Sequence, residues 1–208
     1  LLGMGAAPPL WLNVAYCNLP LSQKPSGFTL PELLVVLALF AILMTQLIPD
    51  LSAATQQNRL YAIANAFSQQ LQLTRNTAIQ RNQKISLCKS DSGTQCSTST
   101  QWEAGWILFE NLDGDGRVDS VDTILQRYNP LPHGITLRGV GNFKNRITYK
   151  PTGDSTSFSR LLFCDQNQLT GSQVIYISST GRIRIAKDDD GDGIPEDGNG
   201  DNIESCET

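Results

Sequence analysis

The chain has 208 residues, of which 40% are hydrophobic and 17% are charged, a composition typical of a folded globular protein rather than a disordered one. Its formal net charge of −4 argues against a protein that binds polyanions through overall charge alone. The charge is uneven, however, because residues 59–187 hold 15 basic and 9 acidic side chains, whereas residues 188–208 hold 9 acidic side chains and no basic one. The sequence therefore predicts a basic body followed by an acidic tail, residues 188–208.

The N-terminal part of the chain contains one long apolar run. Residues 28–48 carry a single charge, at Glu32. A helix of these 21 residues would span about 30 Å, the thickness of a bilayer core, so the run predicts a membrane-spanning helix. Cleavage after Gly27 would leave this helix on the mature protein with Phe28 as its first residue, whereas the alternatives are a signal anchor and a cleaved secretory signal. The first methionine is Met4, which leaves the translation start open.

The stretch SGFTLPELLVVLALFAIL resembles the N-terminal signal of type IV pilins and type II secretion pseudopilins. The resemblance lies in Gly27, in Phe28 directly after it, in Glu32 at the fifth mature position and in the apolar helix. It implies that a prepilin peptidase removes a leader of residues 1–27 and that the new Phe28 amine is methylated. It also implies that Glu32 pairs with the Phe28 amine of a neighbouring subunit, because an unpaired acid in a membrane is unfavourable. The alternative for Glu32 is an acid that reaches the membrane surface.

After Pro49 the apolar residues recur at intervals of three and four, as on one face of an amphipathic helix. The positions that form this face are Leu60, Ile63, Phe67, Leu71, Thr74 and Ala78. Residues 49–83 are therefore predicted to form the amphipathic half of the N-terminal helix, which should end near Asn82.

Residues 84–187 contain short strand-like runs separated by Gly, Asn, Asp and Pro. The eight runs are KISLCK, GWILFE, TILQRYN, ITLRGV, RITYK, RLLFCD, QVIYIS and RIRIAK. They predict a single antiparallel β head, and with the helix they predict an α+β fold. The acidic tail is expected to have little regular structure.

The sequence of the head indicates which branch of the pilins the chain resembles. The stretches WEAGWILFENLDGDGRVDSVDTIL, LLFCDQ and STGRIRI resemble the FimT/GspH branch of the pilins, and the resemblance covers most of residues 24–187. It implies a type IV pilin-like fold, in which a long N-terminal helix packs on an antiparallel β head.

Four cysteines follow the apolar run, and an even number is typical of disulfides in an oxidising compartment. Three connectivities are possible. We expect Cys88–Cys96 and Cys164–Cys206, because these two loops do not cross.

Two acidic clusters have spacings that suit Ca²⁺. The first places Asn111, Asp113, Asp115 and Asp122 at positions one, three, five and twelve of a loop with Gly116 at position six. The second contains Asp188, Asp190 and Asp192. The alternatives are turn chemistry for the first cluster and a solvated tail for the second. No cofactor is expected otherwise, and His133 alone in a turn does not indicate an enzyme.

The sequence STGRIRIAK places two arginines in alternation with isoleucines near the end of the head. Gly181 permits a tight turn, and Arg182 and Arg184 face one side of a strand. An exposed polar strand face needs no ligand. The Gly-Arg-x-Arg pattern, however, resembles that of FimT pilins which bind DNA during natural transformation, and Lys187 could extend the surface. The acidic tail could pair with these arginines and mask them.

These features together predict a minor type IV pilin, made in the bacterial inner membrane with a periplasmic head and assembled with other pilin subunits at or near the tip of a cell-surface pilus. Its partners would be those subunits, prepilin peptidase and DNA. One alternative is a structural minor pseudopilin of a type II secretion system. Another is a Ca²⁺-dependent adhesion module.

Overall fold

The computed structural model describes residues 27–99, 101–141, 145–156 and 158–207. The predicted leader therefore lies outside the described residues except for Gly27, and so do the side chains of residues 45–54, 56 and 159. The chain divides into two compact units, residues 1–46 and 47–208.

Helix α1, Leu30–Arg81, has a recognisable cap at each end. At its start the Thr29 backbone N–H donates to Glu32 Oε2 at 3.5 Å, the arrangement of a capping box. At its end Asn82 has a φ of 52°, its N–H donates to the Ile79 carbonyl, and the next N–H donates to the Ala78 carbonyl. This pair of bonds around a left-handed residue is a Schellman motif, which explains why the helix ends where the sequence predicts.

The described side chains of residues 28–44 are exposed. Among the described residues, no helix carries an apolar stretch that would be long enough to traverse a lipid bilayer. The predicted membrane-spanning segment, residues 28–48, runs on into residues 45–48, whose side chains lie outside the described part, and it stays a prediction.

The amphipathic part of α1 supplies one side of the main core. Its buried residues follow the spacing expected from the sequence, except that Ala64 and Ser68 are also buried and Ile63 is only half-buried. They are Leu60, Ala64, Phe67, Ser68, Leu71, Thr74 and Ala78. The Phe67 ring meets Trp102, Trp106 and Phe163 edge-on, with ring centroids 6.0, 4.9 and 5.6 Å away. Such edge-to-face contacts fix the position of the helix against the head more specifically than apolar burial alone.

The head contains eight strands in two antiparallel sheets, which confirms the number and approximate positions of the predicted strands. The first sheet has the order β3-β2-β1-β5, formed by Ile124–Tyr128, Trp106–Glu110, Ile85–Lys89 and Arg146–Tyr149. The second sheet has the order β4-β6-β7-β8, formed by Ile135–Gly141, Ser159–Asp165, Gln168–Ile177 and Ile183–Ile185. Residues of both sheets and of α1 belong to the same buried cluster.

The second sheet has two apolar faces because its side chains alternate between them. Leu161, Phe163, Ile175 and Ile177 join the main core beneath α1. Leu162, Cys164, Val174 and Tyr176 form a second cluster on the opposite face, which we call the outer face. The acidic tail covers part of this outer face through the buried residues Ile203 and Cys206.

Both expected disulfides are present. Cys88, in β1, is bonded to Cys96, and Cys164, in β6, is bonded to Cys206 in the acidic tail. Within residues 188–207 the only regular pairing is an isolated bridge between Glu196 and Asn202, so the tail has little regular structure, as predicted. Apolar residues and the second disulfide hold the tail on the sheet, whereas Asp188, Asp190 and Asp192 are exposed, as the alternative of a solvated acidic cluster expects.

Candidate nucleic-acid interface

The turn between β7 and β8 depends on a glycine at position 181. Gly181 has a φ of +75°, and its N–H donates to the Ser178 carbonyl at 2.9 Å. A Cβ at this position would lie 2.0 Å from the Gly153 carbonyl oxygen. The glycine of the Gly-Arg-x-Arg pattern is therefore structural, since it allows two backbone turns to approach each other.

Strand register aligns four side chains in one row across the outer face. Val140 pairs with Arg160, Arg160 with Tyr176, and Tyr176 with Arg184. The Arg184 guanidinium carbon lies 5.2 Å from the centre of the Tyr176 ring, a cation–π contact that holds the arginine side chain over the sheet. Arg182, which directly precedes β8, is exposed.

This row forms the floor of an open cleft of about 610 Å³, which we call the arginine cleft. It is lined by Val140, Phe158, Arg160, Tyr176, Ser178, Arg182, Arg184, Asp197, Gly198 and Asn199. The last three residues belong to the acidic tail, so the tail contributes to the lining. Phe158 stacks on Tyr176 at a centroid distance of 6.2 Å, yet 56% of its surface is exposed.

The arginine cleft contains polar groups without a partner in the described part of the chain. Arg160 Nε and the Tyr176 hydroxyl are both buried, and neither forms a hydrogen bond there. On the tail side, N–H groups of Asn199 and Asp201 lower the pKa of Asp197, and the positive charge of Arg160 acts in the same direction. Asp197 therefore remains ionised and offsets part of the Arg160 charge.

The predicted DNA-binding residues fall into two groups. Arg182 and Arg184 both line the arginine cleft, with Gly181 in the turn beside them. Lys187 is exposed but does not line it; it lies with Arg184, Asp189 and Glu196 around a smaller depression of about 110 Å³. The two depressions share Arg184 and Asp197, so Lys187 adjoins the arginine cleft without lining it.

The acidic tail lies beside the two arginines without pairing with them. Within the described ranges, the ion pairs join Arg81 to Glu110 and Arg138 to Glu103, and none involves Arg182 or Arg184. Masking through direct ion pairs is therefore not the arrangement observed. The effect of the tail on the cleft comes from the nearby charge of Asp197.

The first acidic cluster forms a loop between β2 and β3. Carboxylate oxygens of Asp113, Asp115 and Asp122 lie within 4.8 Å of one another. Asn111 is buried, however, and its side chain bonds to Ser86 and to the Gly116 N–H. Burial is the main cause of the raised pKa of Asp122.

The second acidic cluster differs from the predicted set by one residue. Asp188, Asp190 and Glu196 come within 4.8 Å of one another, whereas Asp192 accepts bonds from the Ile194 N–H and from Asn202. Glu196 accepts the N–H groups of Asp189 and Asp190. Glu196 was not predicted as a ligand, although it lies eight residues after Asp188, at position nine of a loop that begins there.

The carboxylates of both clusters already accept backbone N–H groups, for example Asp115 N–H to Asp113 and Gly193 N–H to Asp188. Such bonds are typical of turns. Calcium binding at either cluster remains a hypothesis, which titration of the folded protein with CaCl₂ in a calorimeter would test. His133 is exposed in the turn before β4.

Comparisons with known proteins identify the family to which the chain belongs. Residues 64–181 match the family described as type II transport protein GspH, and residues 23–45 match the prokaryotic N-terminal methylation motif. A comparison with curated protein sequences gives no significant match.

Among solved structures, the chain is similar to the type IV minor pilin FimU of Pseudomonas aeruginosa, with 20% identity and a TM-score of 0.51 over 64% of this chain and 92% of FimU. The minor pseudopilin EpsH from the type 2 secretion system of Vibrio cholerae aligns with 15% identity and a TM-score of 0.43 over 61% of this chain and 94% of EpsH. The FimU similarity shows the fold, an α+β type IV pilin fold, and the family match spans more than half of the chain. The chain belongs to the GspH family of pilin-like proteins and carries the N-terminal methylation motif of that class.

Proposed function

We propose that this minor pilin binds DNA through Arg182 and Arg184 and holds it for uptake in natural transformation. The observation that carries the proposal is the pair of exposed arginines on the outer face, neither of which has an ion pair within the described residues. Guanidinium groups match phosphate oxygens in a two-bond fork, and phosphate contacts carry little sequence information. Weak binding without strong sequence preference is therefore expected.

The proposal includes the maturation and location of the protein. Prepilin peptidase cleaves between Gly27 and Phe28, and the Phe28 amine is methylated. The subunit is anchored in the bacterial inner membrane with a periplasmic head, and Glu32 then guides its assembly with other pilin subunits at or near the tip of a cell-surface pilus. The match of residues 23–45 to the methylation motif supports these steps.

The test is a titration of DNA with residues 52–208, which contain the whole described core and both disulfides. With two or three phosphates engaged, the affinity for duplex DNA should fall with salt at a log–log slope of roughly −2 to −3. The double variant Arg182→Gln/Arg184→Gln should lose binding, whereas Arg117→Gln/Arg127→Gln, the same charge change at two exposed arginines outside the arginine cleft, should retain it.

The second candidate function is that of a minor pseudopilin in a type II secretion system, with a structural role only. The match to the family described as type II transport protein favours it. Equal binding by the wild type and the double variant, or no binding by either, would reject the DNA role and leave this structural role.

A further inference from the structure

We propose that the arginine cleft binds single-stranded nucleic acid, with phosphates on Arg182 and Arg184 and an unpaired base stacked on Phe158. This inference rests on the proposed function, because it specifies which form of DNA the same surface takes. Three observations support it: an exposed aromatic ring, the size of the cleft and the charges that line it.

The exposed aromatic ring is the feature that duplex binding does not explain. Phe158 lies against Tyr176 on one side and keeps 56% of its surface exposed, while Tyr176 itself is only 7% exposed. Tyr176 thus supports the phenylalanine from below, and Arg184 covers the same tyrosine ring. A duplex hides the faces of its bases within the stack, whereas an unpaired base offers its π-face to an aromatic side chain.

The size of the cleft fits a ligand larger than a phosphate ion. Its volume of about 610 Å³ is that of a small-molecule site.

The negative charge of the cleft belongs to Asp197, which lines it together with Arg160, Arg182 and Arg184. Asp197 also lies beside Arg184 around the smaller depression, so its charge opposes the binding of a phosphate in the cleft. Removing this charge by Asp197→Asn should raise the affinity for any DNA a few-fold. Asp113→Asn, the same change in the first acidic cluster, should leave the affinity unchanged.

The test compares three fluorescent probes of equal length at low salt, with the full chain in non-ionic detergent micelles: an oligothymidine, an abasic single strand and a duplex. The abasic strand keeps the phosphates and removes the bases. We expect the oligothymidine to bind more tightly than the abasic strand. Phe158→Ala should weaken oligothymidine binding about tenfold and leave abasic binding unchanged. Tyr61→Ala, which removes a ring that is 54% exposed on α1, is the matched control and should change neither.

The outcomes separate this inference from the proposed function. If the oligothymidine and the abasic strand bind equally and Phe158→Ala has no effect, while Arg182→Gln/Arg184→Gln abolishes binding, the stacking inference is wrong and the phosphate-binding function stands. If none of the probes binds, both are wrong. If a polyglutamate peptide binds as tightly as the oligothymidine, the cleft is a site for acidic protein segments and the inference is overturned.

Discussion

Lys89 shows how a single buried charge makes the stability of the head depend on pH. Its side chain is fully buried, and Nζ donates to Asn145 Oδ1 at 2.8 Å. Burial lowers the pKa of Lys89 to about 8, although nearby Glu103 favours the charged form. Between this pKa and the ordinary value of 10.5 the unfolded chain binds more protons than the folded one, so this group's contribution to stability rises with pH in that window.

We therefore predict that Lys89→Met makes the head more stable than the wild type at pH 7, and that this advantage shrinks as the pH approaches 9.5. Urea unfolding of both proteins at a series of pH values measures it, since other titrating groups cancel in the difference. Lys84→Met, at an exposed lysine, is the control. An advantage that stays constant with pH would contradict the prediction.

Gly181 allows the cost of a steric clash to be separated from the cost of a left-handed backbone. Gly191 has a similar φ, +82°, but a Cβ there would meet nothing within 4 Å. Gly191→Ala should cost about 1 kcal/mol of unfolding free energy. Gly181→Ala should cost about 1–3 kcal/mol more, because its Cβ would strike the Gly153 carbonyl. Denaturant midpoints give the comparison, and equal losses would show that the clash is relieved without cost.

At the scale of elements, the Cys164–Cys206 disulfide fastens the acidic tail to β6. Cys206→Ser should lower the unfolding free energy by about 2–4 kcal/mol, since it opens a loop with a sequence separation of 42. It should also expose residues 188–207 to protease, which mass spectrometry of the cleaved fragments detects. Cys96→Ser, which breaks the other disulfide, should leave the tail protected; early cleavage of the tail in both variants would mean that the disulfide is not what holds it.

The sequence predicted most of the elements because their signals are local. The spacing of Leu60, Phe67 and Leu71 determines the buried side of α1, and Asn82 marks its end. The division of the strands into two sheets was not predicted, because alternation within a strand does not say which strand lies beside it. The sequence alone indicated Arg182, directly before β8, and Arg184 within it.

Phe158 and Arg160, however, join the cleft through the register of β6 with β7 and with β4, which the sequence alone does not determine. The high charge of the acidic tail predicts exposure to solvent and gives no indication that Ile203 is buried on the outer face. Composition predicts only the average solvent exposure of a segment, whereas the burial of Ile203 and Cys206 is enough to fix where the tail lies.

At the scale of the whole molecule, maturation gives a prediction that does not depend on the head. Mass spectrometry of the protein from its host should show a chain beginning at Phe28 with an added methyl group. A mature N-terminus beyond Ile48 would contradict the predicted processing.

Glu32 can be tested for two separate roles, because its carboxylate also caps its own helix at Thr29. Glutamine can form the same capping bond but carries no charge. Glu32→Ala and Glu32→Gln should both enter the membrane, and both should be impaired in incorporation into pili, as measured by immunoblotting of sheared filaments. Normal incorporation of Glu32→Gln would show that capping, rather than charge pairing between subunits, is what assembly requires.

The short strand β8 has three residues and lies at the edge of its sheet. A pulling force on a ligand held by Arg184 would act first on this strand, which could peel away from β7 if the chain after it were loose. The chain after β8 is held instead at Cys206, which is bonded to Cys164 in β6, the strand on the other side of β7. Tension on β8 is therefore transmitted through the disulfide to β6, in the middle of the sheet. The segment after β8 is covalently attached to the sheet at both of its ends.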